Sequence, residues 1–294
     1  MCGIVGVVGN SNAVDILIQG LEKLEYRGYD SAGIYVTDAP DKGCLVKSVG
    51  RIADLRAKIS SDVKGSTGIG HTRWATHGQA TEDNAHPHTS ETGRFVLVHN
   101  GVIENYLQIK EEYLQGHKFK GQTDTEIAVH LIGKFVDEDG LSVLEALKKS
   151  LHIIQGSYAF ALVDSQAPDT IYVAKNKSPL LIGVGEGYNM VCSDAMAMIR
   201  ETSQFMEIHD KELVVLTKDA ITVTDYEGNA IERGTYTAEL DLSDIGKGTY
   251  PYYMLKEIDE QPTVMRKLIS TYADDEGNIT VDPAIVKSVQ EADR

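Results

Sequence analysis

Positive charge is in short supply in this 294-residue sequence: 28 lysines and arginines stand against 44 aspartates and glutamates, a formal net charge of −16. That balance argues against nucleic acid or an anionic membrane surface as a partner, because both call for a basic face. Cysteine is scarce as well. Cys2, Cys44 and Cys192 are odd in number, far apart and without a CxxC pair, which excludes a disulfide framework and a zinc-finger spacing. A reducing, cytoplasmic setting is the expectation, with Cys44 and Cys192 as buried small hydrophobes. Long apolar runs are missing. The opening Ile4-Val5-Gly6-Val7-Val8 has no basic residue before it and is too short for a signal segment or a membrane span. Internal repeats, low-complexity tracts and Gly/Ser linkers are absent too. What remains, 42% hydrophobic and 24% charged, is the composition of a globular protein long enough for one large domain or two smaller ones.

The chemistry begins at Met1-Cys2-Gly3. Removal of Met1 leaves a residue carrying both a thiol and a free α-amine, whose ordinary pKa of about 7.7–8.0 suits it to take the thiol proton at neutral pH. A weak acid with a base in reach is the logic of an activated nucleophile. A cysteine after an initiator methionine has no such meaning by itself, so the rest of the chain must supply it.

Hydrophobic patterning predicts a buried strand at 4–8 and then a helix with Val14, Leu17, Ile18, Leu21 and Leu24 on one stripe, capped by Asn12. Strands are expected at 33–37, 44–49, 67–76 and 95–98, with a short helix at 52–59. Helices at 104–114, 125–136 and 142–151 follow, the second capped by Asp124. Strands return at 158–164, 170–174, 180–184, 190–192, 213–217 and 220–224, the last two as a hairpin about Lys218-Asp219. Strands on both sides of a helical block suggest a mixed protein with two sheets, not a βαβ repeat. An acidic stretch at 239–244 marks the expected domain boundary.

Candidate site residues lie in the connections between early strands. Arg73 in His71-Thr72-Arg73-Trp74-Ala75-Thr76-His77-Gly78 is suited to clamp the α-carboxylate of a free amino acid. It could equally form a surface cation–π pair with Trp74. His71, His77, His86 and His88 cluster in sequence, but their spacing fits no zinc or 2-His-1-carboxylate pattern, so structural histidines are expected and no metal is called for. Asn100-Gly101 offers an amide and a glycine N–H for an oxyanion hole, and is also a common turn signal. Asp124 could meet a substrate ammonium or cap a helix, or do both.

Taken together, Met1-Cys2-Gly3-Ile4-Val5-Gly6, Tyr26-Arg27-Gly28-Tyr29-Asp30-Ser31-Ala32-Gly33, Gly70 through Gly78, Asn84-Ala85-His86-Pro87-His88, His99-Asn100-Gly101 and Thr123-Asp124-Thr125-Glu126 resemble the class II glutamine amidotransferases. Each motif is weak alone; six in this order are specific. The likeness covers residues 1–240, expected to form the glutaminase domain, and 241–294 reads as a linker and the start of a further region. It implies an α+β N-terminal-nucleophile hydrolase fold, a four-layer αββα sandwich with two mainly antiparallel sheets between helical layers. It implies that Cys2 attacks the side-chain amide of L-glutamine, that Arg73 binds the α-carboxylate, and that Thr76 and His77 line that end. It further implies that Asp124 binds the α-amine, that Asn100 and Gly101 hold the oxyanion, that Trp74 lies at the exit, and that Arg27 and Tyr29 flank the nucleophile. No cofactor is implied.

Lys256-Glu257-Ile258-Asp259-Glu260-Gln261-Pro262 favours the branch of the family that passes ammonia to fructose 6-phosphate, making glucosamine 6-phosphate in a homo-oligomeric enzyme. The isomerase domains of that branch would lie beyond Arg294, so these residues alone are expected to hydrolyse glutamine without making the amino sugar. Amidotransferases acting on phosphoribosylpyrophosphate, asparagine synthetases and glutamate synthases share the glutaminase half. A cysteine-initiated hydrolase of penicillins or bile-acid conjugates is a different reading, disfavoured by an Arg73–Asp124 pair suited to a zwitterion. A non-catalytic glutamine-binding module is a third, and a retained Met1 would produce it.

Overall fold

Strand β1, Gly3–Val8, is buried at all six positions, as a continuous apolar run requires. Its side chains alternate between two cores: Ile4 and Val8 face one, Val5 and Val7 the other. The computed structural model describes residues 2–75, 78–238, 250, 252–273 and 281–292, among which fourteen strands are numbered here in chain order.

Two sheets result. The first comprises β1, β2 (Ser31–Thr37), β3 (Cys44–Val49), β4 (Thr67–Arg73), β9 (Leu181–Val184), β10 (Asn189–Cys192), β11 (Gln204–Glu207) and β14 (Tyr236–Thr237). Their order is β14-β11-β9-β10-β1-β4-β2-β3, which sets β1 between β10 and β4. The second holds β5 (His88–Thr89), β6 (Phe95–Ile103), β7 (Gly156–Asp164), β8 (Ile171–Asn176), β12 (Glu212–Leu216) and β13 (Ile221–Asp225), in the order β13-β12-β8-β7-β6-β5. Every pairing within these sheets is antiparallel.

Three hydrophobic cores separate four layers. Val5, Val7, Ile34 and Met190 of the first sheet pack with Leu17 and Leu21 of helix α1 (Ala13–Leu24) and Leu55 of α2 (Ile52–Lys58). Between the sheets lie Ile4, Val8, Val96, Val98, Val163, Val173 and Val214. On the outer side Phe95, Leu97 and Phe160 meet α3 (Tyr106–Tyr113), α4 (Asp124–Asp137) and α5 (Val143–Ile153) through Ile109, Leu131 and Leu147. This is the four-layer αββα sandwich that the resemblance implies. Each buried leucine in such a core contributes about 1.5–3 kcal/mol.

Three expectations need correction. Strand β6 does not stop at residue 98. It runs to Ile103, paired with β7 through Asn100↔Ala159 and Gly101↔Tyr158, so Asn100-Gly101 is strand and not turn. Helix α4 is capped by Thr123, whose hydroxyl accepts from the Glu126 N–H, and not by Asp124, which is the first helical residue. Cys192 is buried as expected, but Cys44 is only half-buried.

By contacts the chain falls into two units, Met1–Asp244 and Ile245–Arg294. The second contains α6 (Tyr253–Tyr272), with Pro262 inside it, and α7 (Pro283–Glu291). Apolar Met254, Ile258 and Ile269 on α6 are exposed, as are Ile285, Val286 and Val289 on α7. Among the described residues no helix is long and apolar enough to cross a membrane.

Candidate active site

Because β1 pairs with β4 in the register Gly3↔Thr72, Cys2 emerges beside the end of β4, where Arg73 and Trp74 follow. The Trp74 N–H donates to Cys2 Sγ at 3.2 Å, and the Trp74 carbonyl lies 3.5 Å from the same sulfur. Burial raises the Cys2 pKa, and the Trp74 N–H opposes it by favouring the thiolate. The indole of Trp74 is seated by Gly28, where φ is +140° and a Cβ would meet the ring at 2.6 Å.

The facing sheet supplies the next group. Asn100 Nδ2 donates to the Cys2 carbonyl at 3.1 Å. Its Oδ1 accepts from His71 Nε2 at 3.0 Å, and the same nitrogen faces the His99 carbonyl at 3.0 Å. Two acceptors at one ring nitrogen make it the protonated one, so His71 is the neutral Nε2–H tautomer. Its buried Nδ1 has no hydrogen-bond partner among the described residues. Burial lowers the His71 pKa to about 3, in agreement with that assignment. The ring therefore orients the amide, oxygen toward His71 and nitrogen toward Cys2. Next along the strand, Gly101 has φ +142°, and a Cβ there would meet the Ser157 carbonyl at 2.1 Å and His99 Nε2 at 2.9 Å. Only glycine fits.

His71 belongs to a buried set. It stacks on His86 with centroids 4.0 Å apart, and His86 meets His88 edge-on at 4.8 Å. The His99 N–H donates to His86 Nδ1 at 3.3 Å, while His99 Nδ1 pairs with the Thr125 hydroxyl at 2.8 Å. His88 Nε2 pairs with the Thr123 hydroxyl at 3.1 Å. Burial pushes the pKa of His86, His88 and His99 down as well. Uncharged rings with neutral partners are structural parts.

With Thr123 as cap, the Asp124 carboxylate is released from that duty. Its Oδ2 accepts the Ile103 N–H at 2.8 Å, and it stands in the first turn of α4, where the helix dipole favours negative charge. Arg73 is 3% exposed. Its guanidinium donates to the Gln79 and Gly78 carbonyls at 3.1 and 3.3 Å and lies 3.9 Å from Asp30 Oδ1. It is not a surface cation–π residue.

One cavity of about 330 Å³ is lined by Cys2, Arg73, Trp74, Asn100, Gly101 and Asp124 together. That is within the range of small-molecule sites. Arg27 also lines it, held by Asp194 Oδ2 at 3.1 Å. Tyr29 is not among its lining residues; its hydroxyl accepts from Arg51 at 3.1 Å. Thr76 and His77 lie outside the described residues. Sequence reading did not single out the Ser178-Pro179 stretch, which lines the cavity, or Thr125, which lines it and holds His99. Nor did it distinguish His71 from its neighbours, although alternation on β4 sets His71 on the same face as Arg73.

A model of a glutamine amidotransferase domain matches residues 71–201. The chain is 84% identical over all 294 residues to the glutamine–fructose-6-phosphate aminotransferase (isomerizing) of Streptococcus mutans, covering 48% of that protein. It is 79% identical to the protein of the same name from Streptococcus pneumoniae, again over 294 residues and 48% of its length. It thus spans about half the length of the curated relatives it matches. Among solved structures, the glutamine phosphoribosylpyrophosphate amidotransferase of B. subtilis matches with a TM-score of 0.67 and 29% identity, over 78% of this chain and 50% of that one.

Proposed function

The chain belongs to the class II glutamine amidotransferases, and we propose that residues 1–240 hydrolyse L-glutamine to glutamate and ammonia through a γ-glutamyl thioester on Cys2. One observation carries this reading: a single cavity is lined by Cys2, Arg73 and Asp124 together. Opposite charges in one small cavity suit the carboxylate and ammonium of a free amino acid, leaving its side-chain amide for the sulfur.

In the proposed reaction Met1 has been removed, and the α-amine of Cys2 takes the thiol proton as sulfur attacks the amide carbon. The oxyanion that forms is held by the Asn100 amide and the Gly101 N–H, a contact realised only as charge develops. Collapse of the tetrahedral species breaks the C–N bond. The proton carried by the α-amine passes to the departing nitrogen, which leaves as ammonia. Water then attacks the thioester, the amine accepting its proton, and a second collapse returns the thiol and releases glutamate. Thr76 and His77 are proposed to line the carboxylate end, with Trp74 at the exit and Arg27 beside the nucleophile.

For the whole protein we propose that the ammonia goes to fructose 6-phosphate, giving glucosamine 6-phosphate. The name borne by relatives 79–84% identical over all 294 residues supports this assignment. Glutamate release from L-glutamine tests the first step, with Cys2→Ala beside the parent and the N-terminus read by intact mass. Activity that disappears in the variant is expected; activity that survives it would remove Cys2 from the mechanism.

A further inference from the structure

Outside this cavity, three side chains from separate segments of the first unit converge. Glu91 comes from the connection between β5 and β6, His117 from the connection between α3 and α4, and His130 from α4. His117 Nδ1 lies 2.9 Å from Glu91 Oε2 and 3.3 Å from His130 Nδ1. One ligand atom from each falls within 4.8 Å of the others. Zinc–nitrogen bonds of about 2.0–2.1 Å at a tetrahedral angle separate two ligand nitrogens by about 3.3–3.4 Å. The histidine pair is already at that spacing.

The surroundings are those of ligands held in place. His117 Nε2 is 3.2 Å from Glu138 Oε1, the carboxylate–histidine arrangement that fixes which ring nitrogen faces a metal. Glu138 is in turn 3.4 Å from Lys134 Nζ. The second oxygen of Glu91 accepts the Lys118 N–H at 3.3 Å, and the His130 ring lies against Phe119 with centroids 4.6 Å apart. An open cleft of about 480 Å³ reaches Glu91 and His117 from solvent, giving an entry path and room for a water ligand.

We propose that Glu91 Oε2, His117 Nδ1 and His130 Nδ1 bind one zinc ion, with water in the fourth position. Two imidazoles and a single carboxylate suit a borderline divalent ion better than calcium or magnesium, which prefer all-oxygen sites. The ion would tie the β5–β6 connection to the α3–α4 connection and to α4, the helix whose first residue is Asp124. It would brace the frame from which Asp124 projects without touching the reacting atoms.

Cobalt(II) titration of the 294-residue chain reads the site directly. A tetrahedral ligand-field band saturating at one equivalent and displaced by zinc is expected, without the sulfur-to-cobalt charge transfer that Cys2 would produce. Glu91→Gln and His117→Gln should each weaken zinc binding at least tenfold by calorimetry, while Cys2→Ala leaves it unchanged. Zinc binding that survives both substitutions, or that disappears in Cys2→Ala, overturns the proposal. Anomalous scattering from zinc-soaked crystals of the unsubstituted chain needs no variant to fold. A peak between Glu91, His117 and His130 supports the site, and a peak elsewhere or none contradicts it.

Discussion

Two groups of histidines in the first unit put the same side chain to different uses. His71, His86, His88 and His99 are buried, His86 and His99 against the cavity, and their hydrogen-bond partners are hydroxyls, an amide and backbone groups. His117, by contrast, stands between the carboxylates of Glu91 and Glu138, with His130 at its other side. With neutral partners burial decides, and the rings stay uncharged and serve as fixed donors and acceptors. With carboxylate partners the same ring stands at the place proposed for zinc. Residue type does not assign the role; the charge of the partners does.

The comparison is most severely strained at Asn100, the group the first set aims. Asn100→Ala is expected to lower kcat about 10²–10³-fold with little change in KM, as removal of an oxyanion-hole donor does. A loss confined to KM would mean that Asn100 binds substrate and nothing more. His71→Ala, which leaves the amide present but unoriented, should cost up to about 10²-fold in kcat. His71→Gln, which retains a donor, should recover part of that loss; no recovery would reduce His71 to packing.

Arg73 shares β4 with His71 but is proposed to act on the substrate carboxylate. Arg73→Lys keeps the charge and loses the planar fork, so steady-state kinetics should show KM raised about 10- to 100-fold with kcat less affected. An unchanged KM would remove Arg73 from substrate recognition.

Acid stability tests the first group next. Histidines whose folded pKa is lowered are neutral in the native state but protonate on unfolding once the pH falls below about 6.5. Their contribution is complete above that value and is lost as the pH falls toward the folded pKa, which for His71 is about 3. With a folded pKa of about 3, His71 should add about 1.4 kcal/mol per pH unit to the fall in unfolding free energy between pH 6 and 4. Denaturant titrations across that range should show a shallower slope in His71→Gln, by about one proton; an unchanged slope would contradict a buried neutral His71.

The smallest effect is expected at the surface group. Without zinc, Glu91→Gln should alter unfolding free energy by no more than about 0.5 kcal/mol and leave glutamate release within twofold of the parent. A large activity loss in the absence of metal would couple this cluster to the active site and break the contrast.

Much of the frame was legible because its signals are local. The apolar run of β1 and the stripe of α1 read directly, and the helices from 106 to 153 lie within a few residues of their expected ends. The two-residue strands β5 and β14 and the short β11 carry too little pattern to register. Strand β6 was cut short because His99-Asn100-Gly101 has the composition of a turn. Pairing to β7 as far as Ile103↔Gly156, with Gly101 at φ +142°, overrides that local signal. Asp124 and Thr123 are both good caps by composition, and only the hydrogen bond to Glu126 distinguishes them.

The site divides in the same way. The residue types at Cys2, Arg73 and Asp124 suggested their chemistry one at a time. That Cys2 and Asn100, 98 residues apart, are joined by a hydrogen bond follows from one sheet facing the other, which no local pattern encodes. The histidines were visible as a cluster in sequence, but spacing carries no information about burial or partner charge. For that reason His117 and His130 drew no attention.

The account rests on Cys2 as the nucleophile, and acid-quenched intact mass tests it most directly. Chain with a free Cys2 N-terminus, mixed with L-glutamine and quenched during turnover, should carry one added glutamyl group. Peptide mapping should locate that group on Cys2 and find none in Cys2→Ala. A glutamyl adduct on Cys44 or Cys192, or steady glutamate release by Cys2→Ala, would contradict it.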